Sequence, residues 1–290
     1  MKSLIAIAIL LQIIWGLVPS ASKFVIEEIP IELYISIRWT ISGVIFLIFV
    51  LLTKSWKPLS PRNFASIALL GLCGYGLASL GTLYSLQTGG VANFALMSAL
   101  GPIITSVVSI VFLKERPNQL FYLALPLCVL GLILLVIGKY QMSSLKIASL
   151  SALFILAGCT LEAIVFVFSK HFKTTTSLSQ YLAISQLSAA LWFWLLQWIA
   201  FDQFQKVTNL STRGVMATLF VSLVACVLCY AILYWLLNKI EGHRLALFEG
   251  IHALSASVFG YFLFKDTISP LMLVGGGLIF SGLIAKKKKK

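Results

Sequence analysis

The chain has 290 residues, of which 60% are hydrophobic and only 11% charged, and its mean hydropathy is +1.00. That composition excludes a water-soluble globular domain, whose surface would carry apolar patches too large to stay in solution. The net charge of +13 does not point to nucleic acid either, because five of the 22 basic residues form a terminal lysine run at 286–290 and others flank long apolar segments, as at a membrane rim.

About 20 apolar residues are needed to carry a helix across the hydrocarbon of a bilayer. Residues 3–22 form a first uncharged run, which follows Lys2 and continues through Pro19 to Lys23 with no clear small-residue cleavage site. It reads as a retained span rather than a signal peptide. Residues 31–53 carry only Arg38, and residues 63–113 carry no charge, divided by the turn signal Thr88-Gly89-Gly90. Four helices are expected up to that point, and residues 117–138 make a fifth.

Beyond a linker at 139–146, residues 147–169 contain only Glu162 and residues 174–201 are uncharged. Residues 214–238 and 267–285 are uncharged as well, and 245–264 contain only Glu249. The expectation is an all-α integral membrane protein of ten transmembrane helices. With a cytoplasmic N-terminus, most basic residues fall on the inner side, so both termini are expected in the cytoplasm. Trp192, Trp194 and Trp198 read as an interfacial aromatic belt.

The two halves echo each other. Ser22-Lys23 recurs as Ser169-Lys170, Lys114-Glu115 as Lys265-Asp266, and Gly131 as Gly282. Five helices per half is an odd number, so the second copy enters the membrane from the opposite side and the repeat is inverted. The expected organisation is repeat 1 at 1–139, a linker at 140–146, repeat 2 at 147–285 and a basic cytoplasmic tail at 286–290.

Several local patterns then carry a resemblance: Trp15-Gly16 with Ser22-Lys23-Phe24, Glu32-Leu33 before Arg38, Ala99-Leu100-Gly101-Pro102, Leu113-Lys114-Glu115-Arg116, and the glycine-rich stretch 275–282. In this order and spacing the chain resembles the EamA branch of the drug/metabolite transporter superfamily. The resemblance implies two inverted five-helix repeats around a central cavity, alternating access without ATP, and small polar solutes as substrates. It also implies a bacterial cytoplasmic (inner) membrane as the expected setting. Glu162 departs from the family pattern, standing opposite Trp15, and Glu249 and His252 stand opposite Ser98 and Gly101.

Intramembrane charges carry the functional reading, because an isolated one costs about 2.5 to 3.5 kcal/mol to insert and must face an interior, a partner or water. Glu162 and Glu249 are the first candidates, with His252 one turn from Glu249 on the same face, where the pair can relay protons or counter a cationic substrate. A structural alternative pairs Glu249 with Arg244. Arg38 reads as a gating or structural charge near the outer face.

Gln12, Trp15, Asn93 and Met97 complete the expected lining. So do Tyr75 and Ser79, which share a face of the third span with Thr82, and Tyr230 and Tyr234, from a stripe in the eighth span that begins at Ser222 and Cys226. Gly74, Ala78, Gly81 and Ser85 form a small-residue face suited to close helix packing.

The five cysteines, Cys73, Cys128, Cys159, Cys226 and Cys229, lie in apolar stretches and are expected as free thiols. No nucleotide-binding loop, catalytic triad or metal motif appears, so neither enzyme activity nor a cofactor or metal is expected. The expected partners are a small-molecule substrate, with protons as a candidate coupling ion, and the lipid bilayer, in a monomer or homodimer. The rival readings are a membrane-embedded lipid-modifying enzyme and a receptor or assembly factor that does not transport.

Overall fold

In a bilayer no water is available to satisfy the backbone, so a span must hydrogen-bond within itself, and this chain does so as helices throughout. The structure, a computed structural model, describes residues 2–113, 119–141, 144–169, 172, 175–199, 210–237, 239 and 249–285. Among them, seven helices are long and apolar enough to cross a membrane, and three shorter apolar helices accompany them.

The first copy contains α1 (Lys2–Gly16), α2 (Val18–Ile26), α3 (Ile31–Leu52), α4 (Pro61–Gly71), α5 (Ala78–Gly89), α6 (Val91–Ser98), α7 (Gly101–Leu113) and α8 (Gln119–Tyr140). The second contains α9 (Leu145–Ser169), α10 (Leu178–Ile199), α11 (Thr212–Leu219), α12 (Tyr230–Leu237), α13 (Glu249–Phe264) and α14 (Pro270–Ala285). One wider π-helical stretch joins α4 to α5 at Leu72–Leu77, and another joins α11 to α12 at Phe220–Cys229.

The copies correspond in these interruptions as well as in their helices. Each third span carries a π stretch, and each is opened by a serine cap: Asn63 N–H donates to Ser60 Oγ at 3.2 Å, and Gly214 N–H to Ser211 Oγ at 3.1 Å. Equivalent helices also pack on each other, α3 against α10, α6 against α13 and α8 against α14.

Glycine sets how closely the copies approach. A Cβ on Gly131 of α8 would stand 2.6 Å from the Gly275 carbonyl of α14, and one on Gly275 would stand 2.6 Å from the Gly131 carbonyl, so neither helix tolerates a side chain at the crossing. The small-residue face of the third span packs on α9 in the same manner. There a Cβ on Gly81 would lie 2.8 Å from the Phe154 carbonyl, and Ser85 Oγ is 3.1 Å from Ser151 Oγ.

The tryptophans of α10 divide. Trp192 and Trp198 are exposed on the rim. Trp194 instead turns inward and donates its Nε1–H to Thr40 Oγ1 at 2.8 Å, tying α10 to α3, because a buried indole N–H needs an acceptor. It is therefore a packing residue and not a member of the belt.

The bundle has two distinguishable ends. At one, Glu28 meets Ser211 and Lys23 meets Asp266. At the other, the side-chain amide of Gln180 donates to the Lys57 carbonyl at 2.8 Å and accepts from the Lys57 N–H at 3.1 Å.

Candidate functional site

Two prolines prepare the centre of the bundle. Pro19, in the first turn of α2, has no N–H to give the carbonyl of Trp15 one turn earlier, so that carbonyl is left without its helical partner. His252 of α13 lies close to the Trp15 backbone there. Pro102 does the same to Ser98, and the fourth span is interrupted at Ala99-Leu100, between α6 and α7. Just past that break, Gly101 has nothing within 4 Å of the position its Cβ would occupy. Broken helices with open space beside them at mid-membrane are a hallmark of carrier sites.

Four aromatic rings from four spans form a continuous row across this centre. Trp39 of α3 meets Tyr75 with centroids 4.8 Å apart, Tyr75 meets Tyr230 at 6.1 Å, and Tyr230 meets Trp15 at 5.7 Å, all edge-to-face. Trp15 Nε1–H also donates to the Ala225 carbonyl at 3.3 Å, within the second π stretch. Tyr75 sits in the first π stretch, so both local widenings of the helix contribute to one wall.

Arg38 lies at one side of the row. It is buried, 9% exposed, and its Nη2 donates to Ser79 Oγ at 2.8 Å. Its guanidinium is 4.4 Å from the centroid of Trp39 and 5.6 Å from that of Tyr34, whose hydroxyl is 3.0 Å from Ser22 Oγ. Its Nε has no hydrogen-bond partner, and no carboxylate among the described residues comes within ion-pair distance. Thus Arg38 is an interior residue, surrounded by aromatic rings and hydroxyls.

Glu162 is the acidic residue of α9, within electrostatic reach of this group. One turn before it on α9, a Cβ on Gly158 would touch Thr82 Cγ2 at 2.7 Å; one turn after it, Val165 Cγ1 lies 2.7 Å from the Cβ position of Gly74. Its face of the helix is therefore turned to the third span, away from lipid. The charge of Arg38 reaches Glu162, whose side chain is exposed.

The structure thus brings together Trp15, Arg38, Tyr75, Ser79, Glu162, Tyr230 and His252. Asn93 and Met97 lie apart from this group: Asn93 Nδ2 donates to Ser151 Oγ at 3.2 Å and lies 3.6 Å from Met97 Sδ, and Asn93 lines a separate cavity of about 160 Å³ beside Asp266. Gln12 is buried, with its carbonyl 3.5 Å from Ser255 Oγ. Ser222 and Cys226, at the start of the eighth-span stripe, are packed shut.

Glu249 and Tyr234 lie on described helices, but their side chains fall outside the described residues, as do Arg244 and the Lys114-Glu115-Arg116 motif. No group of three or more potential metal ligands occurs among the described residues. Trp39 and Tyr34 escaped the sequence reading, although their flanking of Arg38 on one helix face was a usable signal.

An open vestibule of about 610 Å³ lies at the membrane-boundary end and is lined by Phe24, Glu27, Glu28, Ser211, Thr212, Arg213 and Phe264. Its lining includes neither Arg38 nor Glu162, and we place the candidate site at those two residues.

Comparison with known proteins adds the following. The sequence profile of the EamA-like transporter family matches residues 2–137 and again 149–285. An uncharacterized transporter of Archaeoglobus fulgidus is 25% identical over the whole of both chains. The uncharacterized transporter YoaV of Bacillus subtilis is 22% identical over 93% of this chain and 92% of its own. An uncharacterized protein of Methanocaldococcus jannaschii is 27% identical over 139 residues, all of its own length and 48% of this chain. A crystal structure of another protein shares the fold, with a TM-score of 0.67 at 15% identity over 98% of this chain and 97% of that one.

Proposed function

The chain belongs to the EamA-like transporter family, and from that premise we propose that it is a secondary carrier that moves a small cationic or zwitterionic metabolite by alternating access. A single observation carries the choice of substrate class: Glu162, exposed on the face of α9 that turns to the third span, lies near enough to Arg38 for their charges to interact, with no ion pair between them. In a low-dielectric interior opposite charges attract strongly, so a gap between them favours a solute that carries charge into it.

The aromatic row from Trp39 to Trp15 supplies an apolar and cation-binding wall beside that gap. Two profile matches in one chain and a relative of half its length support the reading as two repeats, which rock about the centre. His252 and Glu249 are the candidate proton-coupling groups.

Uptake into proteoliposomes, with a panel of labelled amino acids and amines and with or without a pH gradient, tests the proposal. Flux of at least one cationic or zwitterionic solute, abolished in Glu162→Gln, is expected. Absence of flux across the panel, or flux indifferent to Glu162→Gln, overturns it.

A further inference from the structure

We propose that Asp266 is a gate residue, the latch that holds one face of the bundle shut by joining the second copy to the first at two points; this rests on the alternating-access reading above. Asp266 follows α13, where the helix ends with Lys265 at φ +52 and the Asp266 N–H points back to the Gly260 carbonyl at 3.4 Å. That ending aims the carboxylate at the first copy. Oδ2 accepts the backbone N–H of Ala92 at 2.9 Å, in the first turn of α6, where helical N–H groups lack partners and the helix dipole favours an anion. Oδ1 lies 3.5 Å from Lys23 Nζ at the end of the first span.

The surroundings are shaped for this contact. Gly90 takes φ +77, and a Cβ there would crowd Asp266 Oδ2 at 3.1 Å, so the close approach depends on glycine. Lys23 rests 4.1 Å above the ring of Phe264, which stacks on Phe24 at 4.7 Å, and the ion pair is only 19% and 15% exposed. The clamp is reciprocal. Glu28 of the first copy holds Ser211 of the second, accepting its backbone N–H at 2.8 Å and its hydroxyl at 2.6 Å at the start of α11.

Each acid therefore caps a helix of the opposite copy, and every one of these bonds must break if the copies part at this end. Because the clamp lies at the membrane boundary, water can replace each bond when it opens, which makes it reversible. Asp266 then sets the balance between a closed and an open face without contributing to the interior site.

The test uses the full chain with its native cysteines replaced and a single reporter, Gly101→Cys, chosen because open space surrounds that position. Labelling by a membrane-impermeant maleimide is measured from each side of sealed vesicles. Asp266→Ala is expected to raise labelling from the latch side about fivefold, the size of a lost helix cap, and Lys23→Gln about twofold, the size of a lost boundary ion pair. Asp266→Glu should remain near the unmodified rate.

An unchanged rate in both Asp266→Ala and Lys23→Gln, or an equal rise from both sides accompanied by a lower melting temperature, overturns the latch. Labelling does not depend on flux. A protein that transports nothing but responds as described refutes the carrier reading alone.

Discussion

The two copies of the five-helix unit share a scaffold and differ in chemistry. Both open the third span with a serine cap, widen it with a π stretch and lay their second helix against its counterpart. Yet the position that holds Trp15 in one holds Glu162 in the other, and Arg38 on α3 has Ser185 as its counterpart on α10, bonded to the Tyr181 and Leu182 carbonyls of its own helix at 2.7 and 3.3 Å. Packing constraints act on both copies and keep them alike. Residues that bear on a solute and not on helix packing are free of that constraint and can diverge.

The shared scaffold is broken most severely at its glycine crossing. Gly131→Leu and Gly275→Leu should each destabilise the folded protein by about 3 kcal/mol or more, and equally, because each would push a side chain into the other's backbone. Melting temperature and chromatographic profile in detergent check this, and a large inequality between the two would refute the symmetric crossing.

The next largest effect separates two buried serines in equivalent spans. Ser79→Ala leaves Arg38 Nη2 without its hydroxyl partner and should cost about 2 kcal/mol, since a buried charged donor loses its bond. Ser222→Ala removes a bond to the Thr218 carbonyl of its own helix and should cost less than about 0.5 kcal/mol. Comparable losses in thermal unfolding would mean that Arg38 does not rely on Ser79.

Chemical asymmetry is sharpened by Glu162→Gln, which keeps shape and removes charge. Flux should fall about tenfold or more, equivalent to about 1.4 kcal/mol, with the melting temperature preserved, whereas Trp15→Phe should change flux by only a fewfold. A smaller test concerns helix endings. Lys54 and Lys265 adopt φ values of +51 and +52, which glycine takes without strain. Lys54→Gly, remote from the latch, should raise stability by less than about 1 kcal/mol in a thermal-shift measurement.

Much of this was legible in the residues. Uncharged runs separated by lysines mark the spans because the hydrocarbon core penalises charge at each position independently of neighbours. Gly74, Ala78, Gly81 and Ser85 announced a close crossing for a similar reason, since only small residues let backbones meet. The candidate site was half legible. Glu162, His252, Tyr75 and Trp15 stood out by type and period, but the same reasoning selected Asn93 and Met97, which lie apart from them with Asn93 bonded to Ser151, because a polar residue in a membrane helix looks alike wherever in the bundle it points.

What the sequence determined by itself is the class, a helical bundle in a bilayer whose two halves repeat one pattern, because hydropathy and repetition are properties of the chain read in order. What tertiary structure alone decided is which residues meet: that Arg38 is ringed by Trp39, Tyr34 and Ser79, that the third span packs on the face of α9 that carries Glu162, and that Asp266 reaches Ala92 from 174 positions away. Helix rotation and tilt settle those meetings, and they follow from the simultaneous packing of all the helices, which no local pattern encodes.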